Sequence, residues 1–214
     1  MKKAKRVLFV GNLVEVKGVD RLLSAWQILV HELKPSFGIE LLIIGEGPKR
    51  QKLEKQAKDA GIAGSVRFAG GKPHREICHW MRSAYCLCLP SRSEGMPNVV
   101  LEALACGIPV VASRVGEVPF LIEDGVNGFI VPKDNECSEE AFPACLAEAL
   151  ARTLTRTWDV ADVTDVATAS AGPGVGVKAF TWEHAAQVLI EAICQTKALR
   201  GRARETAQRE QRRR

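Results

Sequence analysis

The chain has 214 residues, 46% of them apolar and 26% charged, with a formal net charge of +5. That length suffices for one sizeable domain with its own core, and the proportions are those of an ordinary soluble globular protein. The whole excess charge sits in the tail from Arg200 to Arg214, so the body is neutral, which argues against a folded nucleic-acid-binding face. No run of 18 or more apolar residues occurs, so no membrane span is expected.

Short apolar runs alternate with helical patterns from the start. Arg6–Val10 reads as a buried strand rather than the core of a signal peptide, and residues 19–33 follow as a helix, with Leu22, Leu23, Trp26, Leu29 and Val30 at helical spacing. The spacing then predicts a strand over 39–44, a helix over 49–60 closed by Gly61, a strand over 66–69 and a helix over 75–84. A strand over 85–89, a helix over 97–106, a strand over 109–112 and a short helix near 118–122 come next, and a strand over 128–131 and a helix over 139–154 end the regular part. The strands carry no internal polar alternation, as in a parallel sheet covered on both faces. The expected architecture is therefore α/β: a doubly wound, Rossmann-like parallel sheet of about six strands over residues 1–154. Residues 155–178, with AGPGVG and no steady period, read as an irregular linker. Residues 179–199 read as a C-terminal helix, and 200–214 as a basic, disordered tail able to touch an anionic membrane surface.

Seven cysteines without a C-x-x-C pair point to small core residues in a reducing, cytoplasmic compartment. Neither they nor Asp159, Asp162 and Asp165 have the spacing of a metal site.

The residues with chemistry to offer lie in SRSEGMPNVVLEALACGIPVV, residues 91–111. Pro97 suits the first turn of a helix and Gly107 its C-terminal cap. The loop before that helix falls at the carboxyl end of the sheet, where open α/β sheets bind ligands. The free N–H groups near Asn98, Val99 and Val100 would favour an anion such as phosphate, and Gly95 would let backbone approach a ligand. Glu102 sits in the middle of an apolar helix, where an unpaired carboxylate costs several kcal/mol to bury. With Glu94 it flanks the helix start, and two acceptor-only carboxylates around an anion site suit a diol–phosphate–diol ligand. The residues alone leave a second reading open, in which Glu102 pairs with an internal Lys or Arg and Glu94 caps a turn. By the same measure Lys17 is a solvated loop lysine.

SRSEGMPNVVLEALACGIPVVAS resembles the Glu–seven residues–Glu signature of the GT-B retaining glycosyltransferases, in particular glycosyltransferase family 4. The likeness runs over roughly residues 5–153 and includes VGNLVEVKGVDRLLSAW, LLIIGEGPKRQKLE, VRFAGG and VGEVPFLIEDGVNGFIVP, with FTWEH beyond them. The resemblance implies a C-terminal, donor-binding domain, one half of a GT-B fold. It implies that Glu94 holds hydroxyls of the transferred sugar, Lys17 the diphosphate and Glu102 the ribose. Backbone from Gly95, Met96, Pro97, Asn98, Val99 and Val100 would bind the sugar and diphosphate, and the turn with Gly70 and Lys72 would pass near the base. No metal or cofactor is expected, and no Asp-x-Asp motif is there to hold one. Three positions depart from the pattern: Asn12 stands where an Arg is usual, Glu117 where a Gly is, and Phe120 where a Glu is frequent.

Three functions follow as expectations. The first is the nucleotide-sugar-binding half of a hexosyltransferase, with the acceptor bound by an absent N-terminal domain or a partner subunit. The second is a non-catalytic nucleotide-sugar-binding subunit of a split enzyme. The third, a nicotinamide-dependent domain, is disfavoured because GEGPKR lacks the third glycine of the dinucleotide loop and no acid follows it at the right interval.

Overall fold

The computed structural model describes residues 5–132, 137–161 and 163. The chain divides into two compact units, 1–176 and 177–214, and the described residues all lie in the first. The predicted C-terminal helix, the basic tail, the greater part of the linker and the FTWEH stretch lie outside the described residues.

Six strands form the sheet: β1 (Lys5–Val10), β2 (Ile39–Ile44), β3 (Val66–Gly70), β4 (Cys86–Leu89), β5 (Val110–Ser113) and β6 (Gly128–Val131). All their pairings are parallel, and the order across the sheet is β3-β2-β1-β4-β5-β6. The helices between them are α1 (Val19–Ile28), α2 (Arg50–Asp59), α3 (His74–Arg82), α4 (Asn98–Ala105), α5 (Val118–Leu121) and α6 (Phe142–Thr155). The helix predicted over 19–33 is one rod whose last stretch, Leu29–Leu33, loosens into a π-turn.

A parallel sheet needs a cover on each face, because every crossover carries a helix back over it. Here α1 and α6 pack together on one side, where Leu22, Leu23 and Trp26 meet Phe142, Leu146 and Leu150 over Phe9, Ile43 and Val111. The Trp26 indole is fully buried and donates its N–H to Ser65 Oγ at 3.0 Å, so its one polar atom is satisfied. Helix α4 lies over β4 and β5, with α3 and α5 beside it. Cys86 and Cys88 alternate onto one face of β4 and are core residues, as predicted, and burial pushes the Cys86 thiol up to about 12. Cys78 is exposed instead, on the open groove between α3 and α4, with its sulfur 3.3 Å from that of Cys106. Beyond α6, Trp158 meets the Phe129 ring edge-on and anchors the first residues of what reads in the sequence as linker.

Candidate functional site at the β1–β4 seam

The strand order reverses at β1. From there the chain winds outward to β2 and β3, then crosses back to begin again at β4 on the other side. The loops after β1 and β4 therefore part at the carboxyl edge of the sheet and leave a crevice between them. The loop after β1 is pinned by fully buried Leu13, makes a 3-10 turn over Glu15–Lys17 and enters α1 through Gly18. Gly18 has φ 65°, and a Cβ there would stand 2.1 Å from the Pro90 carbonyl oxygen, so only glycine permits this approach of the two loops. The backbone N–H of Arg92 then donates to the Val16 carbonyl at 2.7 Å.

This close approach brings Lys17 and Glu94 together across 77 positions of sequence. Lys17 Nζ donates to both carboxylate oxygens of Glu94, at 2.7 and 2.9 Å, and Ser91 Oγ donates to Oε1 at 2.6 Å. The Glu94 side chain is 10% exposed and that of Lys17 28%, so the lysine is not the solvated loop residue that the sequence alone suggests. A cation and an acid held face to face at a crevice can each hold a different part of a ligand that carries an anion beside hydroxyl groups.

The far wall of the crevice is built by the loop after β5. Gly116, at φ 51°, passes so close that a Cβ would lie 2.3 Å from the Glu94 carbonyl oxygen and 2.4 Å from that of Gly95. Glu117 N–H donates to the Gly95 carbonyl at 3.1 Å. Gly95 and Met96 are exposed, Pro97 is buried and caps α4, and Asn98 is exposed in the first turn. Val99 is half-buried and Val100 buried, with its N–H turned to the Pro97 carbonyl at 2.9 Å.

Glu102 departs from expectation. Its side chain is 35% exposed rather than enclosed, because it faces the groove between α4 and α3 instead of the sheet. That groove, about 320 Å³, is lined by His74, Ile77, Met81, Glu102 and their neighbours. Among the described residues no Lys or Arg pairs with the carboxylate, and its ion-pair partner is His74, with Nε2 at 3.8 Å. Burial pushes the Glu102 carboxyl above its ordinary value, and the His74 charge opposes that. His74 opens α3 directly after the turn that holds Gly70 and Lys72. Gly71 N–H in that turn donates to Glu46 Oε1 at 3.3 Å, which ties the loops after β2 and β3. Asn12 is exposed on the loop after β1. The predicted residues thus fall into two groups on one edge of the sheet: Lys17 with Glu94 at the seam, and Glu102 toward the loop after β3.

Sequence reasoning missed Ser91, Arg92, Asp20 and Glu139. Arg92 Nη1 and Nη2 donate to the two oxygens of Asp20 at 2.8 and 2.7 Å, and Nη2 also reaches Glu139 Oε1 at 2.9 Å. Ser91 had a usable signal, three positions before Glu94; the ion pairs join segments too far apart for spacing to reveal. Among the described residues no group of three or more His, Cys, Asp and Glu is arranged to hold a metal, and no helix is long and apolar enough to cross a membrane.

Comparison with known proteins carries the identification. The family described as glycosyl transferases group 1 matches residues 4–155. The chain is 39% identical over 132 residues to a D-inositol 3-phosphate glycosyltransferase of Frankia alni, a match that covers 58% of this chain but 32% of that relative. It superposes on sucrose-phosphate synthase from Thermosynechococcus elongatus with a TM-score of 0.71 and 26% identity, over 92% of this chain and 46% of that one. A C-terminal domain of a glycosyl transferase group 1 family protein from Francisella tularensis shares the fold, with a TM-score of 0.60 and 24% identity, over 78% of this chain and 82% of that one. With the family match spanning the whole sheet and both groups of site residues, this chain belongs to the glycosyl transferases group 1.

Proposed function

We propose that the chain is the donor-binding, C-terminal half of a retaining glycosyltransferase of family 4, which transfers a hexosyl group from a nucleotide-sugar. The observation that carries this reading is the Lys17–Glu94 pair at the β1–β4 seam, 2.7 Å apart. A nucleotide-sugar offers each member a better partner: its diphosphate takes the Lys17 ammonium, and the hydroxyls of its sugar take the Glu94 carboxylate. The backbone N–H groups of Asn98 and Val99 at the start of α4 add to the positive field around the diphosphate, while that of Val100 is held by the Pro97 carbonyl. The half-exposed Glu102 carboxylate accepts from the ribose diol, with the Gly70–Lys72 turn beside the base.

Rate enhancement in this scheme is electrostatic. Negative charge builds on the departing nucleoside diphosphate, and a fixed ammonium and helix start stabilise it more in the transition state than in the ground state. No metal is required for that step. Asn12 leaves one cationic contact fewer than the family pattern supplies, so donor affinity is modest. The acceptor is bound by an N-terminal domain or a partner subunit, and this chain alone transfers little.

Thermal melting with UDP, GDP, ADP and NAD tests the reading. A ligand at a hundred times its dissociation constant adds about 2.7 kcal/mol. In a chain of this size that raises Tm by roughly 5–10 °C. One of the three nucleoside diphosphates should do so; a shift with NAD alone, or with none of the four, overturns the proposal.

A further inference from the structure

The seam pair has a support that neither the family match nor the proposed chemistry assigns. Lys17 rides on a short segment, Glu15 to Asp20, that leaves the sheet after β1 and returns as the first turn of α1. Arg92 grips both ends of that segment. At its near end Arg92 Nη1 donates to the Glu15 carbonyl at 2.9 Å. At its far end the guanidinium forks onto both Asp20 oxygens, at 2.8 and 2.7 Å. In the middle the Arg92 backbone N–H holds the Val16 carbonyl at 2.7 Å. Burial opposes ionisation of Asp20, yet the Arg92 hydrogen bonds and charge outweigh it and hold the carboxyl below its ordinary value. Arg92 in turn is braced through Glu139, which Arg21 fixes with a 2.7 Å hydrogen bond from Nε. Arg21 lies 4.4 Å from the Phe142 ring centre.

We infer that Arg92 is the positioning residue of the site: standing two places before Glu94, it clamps the Glu15–Asp20 segment so that the Lys17 ammonium meets that carboxylate. The inference that this matters for ligand rests on the donor-binding reading; the clamp itself does not. A lysine cannot replace it, because one ammonium has no planar fork to span Asp20 while also reaching Glu139 and a carbonyl.

The test acylates the full chain briefly with a water-soluble acetylating ester and reads the Lys17 labelling rate by peptide mass spectrometry. Lys55, with a side chain 75% exposed, serves as internal reference. Removing the grip should free Lys17 from Glu94, so Arg92→Ala should label Lys17 about fivefold faster than the wild type, the scale of one partly solvated ion pair. Glu94→Gln should do the same, and Arg92→Lys should fall between. An unchanged Lys17 rate in a folded Arg92→Ala chain overturns the inference. Should that variant not fold, Asp20→Asn removes the fork from the other side, and an unchanged rate there overturns it equally.

A second measurement asks whether Arg92 acts through Lys17, using uridine diphosphate as probe. Arg92→Ala, unlike Glu94→Gln, lets the whole Glu15–Asp20 segment move and carries Lys17 away from the crevice, so it should weaken binding in the wild-type background but not beside Lys17→Ala; equal losses in both backgrounds would mean a merely structural role. If the wild-type chain binds no nucleoside diphosphate, the donor reading fails while the labelling result still decides the clamp.

Discussion

Glu94→Gln separates the two roles proposed for the seam pair, because it removes the charge of the acid and keeps its shape. The Ser91 hydroxyl at 2.6 Å can still donate to the amide oxygen. The lysine loses its counter-ion. At roughly 3 Å and an effective dielectric of about 20 the Coulomb attraction is about 5 kcal/mol. Desolvation and lost side-chain freedom leave a net of about 1 kcal/mol for a pair with this much solvent access. A diphosphate that enters the wild-type crevice must displace Glu94 from Lys17; in the variant it need not. Titration calorimetry should therefore show the variant binding a bare nucleoside diphosphate about fivefold tighter, the equivalent of that 1 kcal/mol. The matching nucleotide-sugar should gain less or lose, since a hydrogen bond to a charged acceptor is worth about 1.5–3 kcal/mol and the variant forgoes it. If the glutamine weakens the bare diphosphate as much as Lys17→Ala does, the two residues do not compete for a ligand and the reasoning is wrong.

Three further outcomes follow from the same geometry. Glu102 has its carboxyl raised by burial, so folding favours its protonated form, and the stability that this gives is lost as pH rises from the ordinary 4.5 through the folded value. Glu102→Gln should accordingly melt higher than the wild type at neutral pH, with the gap closing in acid, and should bind nucleotide less well; a gap that widens in acid would contradict the assignment. Asn127 is fully buried, donates to the Leu121 carbonyl at 2.9 Å and accepts from Glu123 N–H at 2.9 Å. Asn127→Ala orphans two backbone groups and should cost about 2–3 kcal/mol in denaturant melts at unchanged m-value. Gly116→Ala forces a side chain into the left-handed region, at about 1–2 kcal/mol, and against the Glu94 carbonyl. It should weaken nucleotide binding by more than its melting temperature would suggest, which paired binding and melting measurements check.

The fold was legible because each strand is a short apolar run and each helix keeps its period, as in VLFV before LLSAW. Errors at element ends were small; α4 starts at Asn98 with Pro97 as its cap rather than its first residue. Glu94 could be singled out by its loop and Lys17 by the family likeness alone, but not as direct partners, since their meeting depends on the β1–β4 crossover. Glu102 is less enclosed than its apolar neighbours in sequence suggest, for a local reason. An eight-residue helix buries only one stripe, here Val100, Ala103 and Leu104, so an acid among apolar letters can still lie on its rim. Arg92 escaped altogether. It reads as one basic residue in a loop, and its partners Asp20 and Glu139 stand 72 and 47 positions away. Cys78 and Cys106, 28 positions apart, were hidden in the same way.

The seam between β1 and β4 is short, with Val7 opposite Cys86 and Leu8 opposite Leu87. One wing of the sheet supplies the ammonium and the other the acid, so neither wing by itself carries a recognisable receptor. Bringing such long-separated strands together costs more loop-closure entropy than forming the local helices or the β1–β2 ladder, so we expect the seam to close after them. Affinity for a nucleotide would then be the final property the polypeptide acquires as it matures, and its onset a clock for the docking of one wing on the other.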